Sequence, residues 1–376
     1  MLLLSGPNIA GNEWKYIKDC LDTGWVSSVG AYVEQFEKMS AEFAGTKYAV
    51  ATSSGTTALH ICLVMMGIKK NDYIITPNVT FIATCNAVKY TGADPILIDA
   101  DPLNWQMDLE LLEEFLLNET VQINGYCHYK KDKRRIPVIM PVHVLGNICD
   151  MDRLMELAGN HNIIIIEDST EALGSYYKTK HSGSFGLMGT FSYNGNKIIT
   201  TGGGGMIVTN DAALAKRAKH LTTQAKSDPF EYVHDEIGYN YRLVNVAAAM
   251  GVAQMELLPG FIKRKQEIIA LYKKELEGVG DIRFQQVDEN VRPNWWLPTI
   301  MTTKQRELLK ILNDNKMQSR PFWVPMNQLT MFKNNIFYHK NNCSDFVYRH
   351  CLSIPCSTHI TDEQVKQVSD KIKEVY

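Results

Sequence analysis

Three short segments combine residue types that could do chemistry. The first is Ser53-Ser54-Gly55-Thr56-Thr57. Between a strand and a helix, its backbone N–H groups and hydroxyls would form an anion site, and glycine would let the chain approach a phosphate closely. Serine and threonine also precede helices as plain N-caps, so both readings stand at this point. The second segment is Ile166-Glu167-Asp168-Ser169-Thr170-Glu171. An all-apolar run leads directly into carboxylates, which a strand end would present at a crevice. The structural alternative is that Asp168 or Ser169 caps a following helix. The third segment is Phe191-Ser192-Tyr193-Asn194-Gly195-Asn196-Lys197, continued by Ile198-Ile199-Thr200-Thr201 and the glycines Gly202 to Gly205. The glycines would let the chain turn tightly around something bulky. A surface hairpin with a solvated lysine is the bland alternative.

Two other patterns fail on inspection. The glycine run is not a P-loop, because no Gly-Lys-Ser/Thr follows it. Tyr193-x-x-x-Lys197 has the Tyr/Lys spacing of short-chain dehydrogenases. That reading needs a glycine-rich dinucleotide turn after an early strand, which is missing, and a helix that Gly195 and the later glycines oppose.

The elements that must position these segments follow a repeating order. Short apolar runs at 48–51, 73–76, 95–98, 136–142 and 163–166 alternate with helical patterns from 58, 81, 108 and 150. Such alternation predicts βαβ units and a mostly parallel sheet. The run Ile163 to Ile166 has no polar face, as a strand covered on both sides should not. Further strands are expected at 190–193 and 205–209, and a helix from Ala212. The pattern changes after a long amphipathic helix over 261–276: a stretch rich in Pro, Trp and Asn follows, then a terminal helix from Thr361. This predicts a large α/β domain over 1–255 and a smaller α+β domain over 256–376. The basic run Lys130-Lys131-Asp132-Lys133-Arg134-Arg135 is read as a solvated loop or hairpin insert.

Bulk properties exclude several classes. Of 376 residues, 45% are hydrophobic and 21% charged, as in a soluble globular protein large enough to need no staples. A net charge of −2 provides no footprint for nucleic acid or an anionic membrane. Eight scattered cysteines with no C-x-x-C pair argue against a metal site and for a reducing compartment. The N-terminal apolar run is too short for a signal sequence, and no stretch reaches bilayer length. A cytoplasmic location is expected.

The three segments, in this order and spacing, resemble the DegT/DnrJ/EryC1/StrS nucleotide-sugar aminotransferases. The resemblance extends to Asp22-Thr23-Gly24-Trp25-Val26-Ser27-Ser28-Val29-Gly30, to Gly238-Tyr239-Asn240-Tyr241-Arg242-Leu243 and to Ser319-Arg320-Pro321. It implies the fold-type I, aspartate-aminotransferase-like architecture and pyridoxal 5′-phosphate as cofactor, held by Lys197 as a Schiff base and passing through pyridoxamine phosphate in turnover. Asp168 then matches the carboxylate that pairs with the pyridine nitrogen, and Glu171 falls where many members have Gln on the ring-hydroxyl side. Phe81 matches the ring-stacking aromatic, while Gly55, Thr56 and Ser192 match phosphate contacts. Asn240 matches a residue reaching the phosphate from the second subunit, a part that Arg242 could also take. A homodimer with shared active sites is implied.

The implied reaction moves the amine of glutamate, which leaves as 2-oxoglutarate, to C4 of a nucleotide-linked 4-keto-6-deoxy sugar for bacterial surface glycans. Trp25, Trp295, Trp296 and Trp323 could pack on a base or sugar, Arg242 and Arg320 could hold the diphosphate, and His143 is a pocket candidate without a role. Two departures stand out. The glycine run Gly203-Gly204-Gly205 lacks the Glu of the usual Gly-Glu-Gly-Gly, and Glu171 replaces Gln. Both resemble members acting on UDP-linked N-acetyl sugars of the legionaminic-acid and bacillosamine type, the first expectation, or GDP-perosamine synthases, the alternative; a dTDP-linked 4-keto-6-deoxyglucose is a further alternative substrate. A dehydratase on the same fold would carry histidine in place of Lys197, and a catalytically silent regulatory relative is the alternative of another class.

Overall fold

A computed structural model describes residues 1–228 and 230–376. Its main sheet has eight strands: β1 (Tyr48–Thr52), β2 (Tyr73–Pro77), β3 (Asp94–Ile98), β4 (Val138–Ile139), β5 (Ile164–Asp168), β6 (Met188–Ser192), β7 (Gly205–Thr209) and β8 (Ile336–Tyr338). Their order is β1-β7-β6-β5-β4-β2-β3-β8. All neighbours are parallel except the two pairs made by β7, which runs against β1 and β6. The expected mostly parallel sheet is therefore present.

Consecutive isoleucines explain how the sheet is covered. Side chains alternate across a strand. Ile74, Val138 and Ile166 pack with Leu59, Ile61 and Leu63 of the helix Gly55–Met65 on one face. Ile75, Ile139 and Ile165 pack with Leu112, Phe115 and Leu154 on the other. The helices Leu109–Glu119 and Met151–Asn160 begin where Asp108 and Asp150 accept backbone N–H groups as N-caps.

Two features differ from the sequence expectation. The long helix runs over Asn245–Glu275, not from 261, and continues through Pro259. Proline removes one helical N–H, but Ala248, Val252, Leu258, Phe261, Ile268 and Tyr272 are buried on both sides of it and carry the helix across. The expected division at 255/256 thus falls inside one helix. In addition β8, from the C-terminal part, completes the edge of the main sheet beside β3. The remainder of that part holds a four-stranded antiparallel sheet (Arg283–Phe284, Thr299–Met301, Cys351–Ser353, Arg320–Pro321) with helices Gln305–Asp314 and Asp362–Lys373.

The basic run lies beside a hairpin, Thr120–Ile123 with Tyr126–Tyr129. Its charges are largely paired: Arg134 with Asp94 at 2.5 Å, Arg135 with Asp72 at 2.6 Å and Lys131 with Glu119 at 3.6 Å. Among the described residues, no helix is long and apolar enough to cross a membrane.

Candidate active site

The carboxyl ends of β1, β5 and β6 open onto one cavity of about 410 Å³, within the range of small-molecule sites. All three motifs reach it. Ser54, Gly55 and Thr56 come from the first, Thr170 from the second, and Ser192, Lys197, Gly203 and Gly204 from the third. Phe81, Trp296, Trp323 and Arg320 complete the set of expected residues on its lining.

One end is built for an anion. Ser54 is the extended N-cap of the helix Gly55–Met65. Its hydroxyl accepts from Thr57 N at 3.1 Å, and the Thr57 hydroxyl accepts from Ser54 N at 3.0 Å. Capping therefore consumes Ser54 and Thr57 and leaves Gly55 and Thr56 at the positive end of the helix dipole, facing the cavity. The cap and the anion site coexist, divided between neighbours. Close approach is enforced by two glycines. A Cβ on Gly55 would lie 2.9 Å from Thr170 Cγ2 and 3.0 Å from Ser192 Cβ, and one on Gly205 would lie 2.3 Å from the Ser54 carbonyl.

The other end holds an amine among carboxylates. Lys197 Nζ lies 4.0 Å from Glu171 Oε1, with the lysine side chain 12% exposed and the glutamate 1%. It also sits 3.9 Å from the ring centroid of Trp296. Burial pulls the Lys197 amine below the ordinary lysine range, while Glu171 and then Asp168 oppose that pull. Burial pushes the Glu171 carboxyl up to about 7, against Lys197 and the Leu145 N–H that donates to Glu171 Oε2 at 2.8 Å.

Asp168, 2% exposed, accepts from the Thr84 hydroxyl at 2.7 Å and from Thr170 N at 3.2 Å. The two donors fix the orientation of its side chain. It caps no helix, since the next one begins only at Ala212. Glu167 faces away from its neighbour's role: it is fully buried and accepts from Gly183, Phe185 and Gly186 N–H groups and from His143 Nε2 at 3.0 Å. His143 is accordingly a buried partner of Glu167 and does not line the cavity.

Trp25, Asn240 and Arg242 also lie off the cavity lining. Asn240 bridges Thr223, which lines a small recess together with Arg242. Asn245 Nδ2 donates to the Trp25 carbonyl at 2.7 Å, Arg242 shares a small recess with Ser28, and Tyr241 O accepts from Ser53 N at 2.8 Å. Trp25 is 58% exposed. Sequence reasoning missed Thr84 and Asn294. Asn294 is fully buried, donates to Glu171 O and Leu173 O at 2.9 Å each, and accepts from Trp296 N at 2.8 Å. Nothing in its neighbourhood of Pro and Trp signals that part; only the tertiary contact reveals it.

An anion cradle at one end and a buried amine between carboxylates at the other suit a flat phosphorylated aldehyde such as pyridoxal phosphate. Gly55, Thr56 and Ser192 line the anion end of the cavity, and Lys197 lines the amine end.

Comparisons with known proteins agree. The chain is 38% identical over 373 residues to GDP-perosamine synthase of Escherichia coli O157:H7, covering 98% of this chain and 97% of that one. It is 39% identical over 329 residues to GDP-perosamine synthase of Caulobacter vibrioides, covering 86% and 84%. The solved structure of DesV from S. venezuelae superposes with a TM-score of 0.87 at 27% identity, covering 97% of this chain and 94% of that one. The model of the DegT/DnrJ/EryC1/StrS aminotransferase family matches residues 7–373, and the chain belongs to that family.

Proposed function

We propose that this enzyme transfers the amino group of glutamate to C4 of a GDP-linked 4-keto-6-deoxy sugar, using pyridoxal phosphate bound to Lys197. The observation that carries the reading is the Lys197 amine, buried 4.0 Å from Glu171 on a cavity whose far end is the N-terminus of the helix Gly55–Met65. The GDP-linked sugar takes precedence over the UDP-linked N-acetyl sugar first expected. The support is the name GDP-perosamine synthase carried by relatives at 38% and 39% identity.

When bound, the cofactor supplies an electron sink for the charge left by a departing α-proton. The chain's residues do the rest. Gly55, Thr56 and Ser192 hold the phosphate. Asp168, fixed by Thr84 and Thr170, keeps a proton on the pyridine nitrogen. Phe81, on the cavity lining, would stack on the ring, and Glu171 would contact its hydroxyl side. Lys197, with its basicity lowered by burial, serves as the general base that moves the α-proton. Arg320 at the cavity rim meets the diphosphate. Trp25, Asn240 and Arg242 lie off the cavity lining, which suits residues lent to a second subunit's site in a homodimer.

The test is a panel of GDP-, UDP- and dTDP-linked 4-keto-6-deoxy sugars with glutamate, with products identified by mass and NMR. Amination of the GDP-linked sugar at C4 is expected. Turnover of only the UDP- or dTDP-linked sugars would overturn the nucleotide assignment, and amination of none would overturn the activity.

A further inference from the structure

A fully buried lysine away from the cavity holds one segment of its wall. Lys265, on the helix Asn245–Glu275, is 1% exposed. Among the described residues it has no carboxylate partner. Its ammonium donates to the carbonyls of Trp296 at 2.9 Å and Cys356 at 2.7 Å, and it lies 3.1 Å from Cys356 Sγ. A buried charge without a counter-ion is costly unless every donor is used. With the Ser5 hydroxyl at 3.5 Å, these contacts tie three distant chain segments to one helix.

Trp296 is the segment that matters for the site. It is 3% exposed and is fixed at four points. Its backbone N donates to Asn294 Oδ1 at 2.8 Å, its carbonyl accepts from Lys265, its indole N–H donates to Asn196 O at 2.7 Å, and its ring face meets Lys197 Nζ. A cation over the face of a tryptophan is stabilised by the ring quadrupole, more so when desolvated. The indole also holds the backbone one residue before Lys197.

We propose that Trp296, clamped from behind by Lys265, is a positioning residue for Lys197: its ring is the resting place of the free amine and favours the ammonium form. This rests on reading Lys197 as the cofactor lysine, and it replaces the expectation that Trp296 packs on a base or sugar. The charged groups facing the amine are Glu171 and Asp168, with Arg320 on the same cavity. Glu171 and Asp168 favour the ammonium by charge, and Trp296 adds a contribution of a different kind.

The experiment is competitive amine labelling of the full-length apoprotein across pH, with each lysine peptide quantified by mass spectrometry. It needs neither sugar nor turnover, so it is independent of the substrate assignment. In Trp296→Leu the Lys197 titration midpoint should fall by about one pH unit, the size of a partly desolvated cation–π contact. Lys265→Met should lower it in the same direction by less, and Trp296→Phe should restore part of the loss. Lys273, which lies 4.7 Å from the ring centroid of Trp295, is the internal control and should not move. An unchanged or raised Lys197 midpoint in Trp296→Leu overturns the proposal, as does an equal fall at Lys273. Should Trp296→Leu fail to fold, Trp296→Phe decides: a smaller fall confined to Lys197 supports the proposal, and an unmoved midpoint overturns it.

Discussion

Replacing Glu171 with glutamine probes the electrostatics of the site with minimal change of shape. The carboxylate lies 4.0 Å from Lys197 Nζ. At that distance and an effective dielectric near 20, a full charge pair is worth about 4 kcal/mol. Burial raises the Glu171 carboxyl above the ordinary range, so its contribution near neutral pH is smaller than that full value. The upper bound on the shift of the lysine midpoint is therefore about 3 pH units. A carboxylate favours the ammonium, so removing it must lower the Lys197 midpoint and enlarge the neutral, nucleophilic fraction at pH 7. The same labelling titration reads the midpoint, and stopped-flow absorbance reads the rate of pyridoxal phosphate capture. Glu171→Gln should show a lower midpoint and faster capture near pH 7. A midpoint that is unchanged or raised, in a variant that folds normally, would refute the reasoning.

Further predictions follow from neighbouring contacts. Asp168→Asn should keep the cofactor bound but slow transamination strongly, measured as half-reaction rates with glutamate; unchanged rates would remove Asp168 from the pyridine-nitrogen role. Gly205→Ala would set a Cβ 2.3 Å from the Ser54 carbonyl, so the start of the helix Gly55–Met65 must shift. A loss of about 1–3 kcal/mol in urea unfolding, with weaker binding of pyridoxal phosphate, is expected. Burial holds His181 at about 4, below the ordinary histidine range, and its Nε2 accepts from Gly174 N at 2.7 Å. Because the folded value is depressed, the stability tied to neutral His181 is present above about pH 6.5 and is lost as pH falls toward 4, up to about 3 kcal/mol. A His181→Gln variant should therefore lose less stability than the parent between pH 7 and 4.5, and equal losses would contradict this.

The sheet was legible because its cause is local. Ile163 to Ile166 and the runs before it announce strands buried on both faces, and Asp108 and Asp150 announce helix starts. The site was legible for the same reason, since strand ends β1, β5 and β6 carry their motifs directly into the cavity. What escaped notice depends on distant parts of the chain. The helix Asn245–Glu275 continues through Pro259 because packing outweighs one missing N–H, and no local rule signals that. β8 joins the main sheet beside β3 with partners 240 positions apart, Ile336 opposite Ile96, Phe337 opposite Leu97 and Tyr338 opposite Ile98. His143 looked like a pocket residue at a strand end, yet its imidazole turns to Glu167, which the sequence presented merely as a second carboxylate beside Asp168. The substrate preference was weakest for a similar reason. Glu171 and the glycine run mark a departure from the common pattern, but their consequence depends on what the cavity encloses.

The central claim is that Lys197 carries the cofactor. Borohydride reduction of the protein loaded with pyridoxal phosphate, followed by peptide mass spectrometry, tests it directly. The phosphopyridoxyl group is expected on the Lys197 peptide, with its loss in Lys197→Ala. A stoichiometric label on any other lysine, or none on Lys197 in protein that has bound the cofactor, would contradict it.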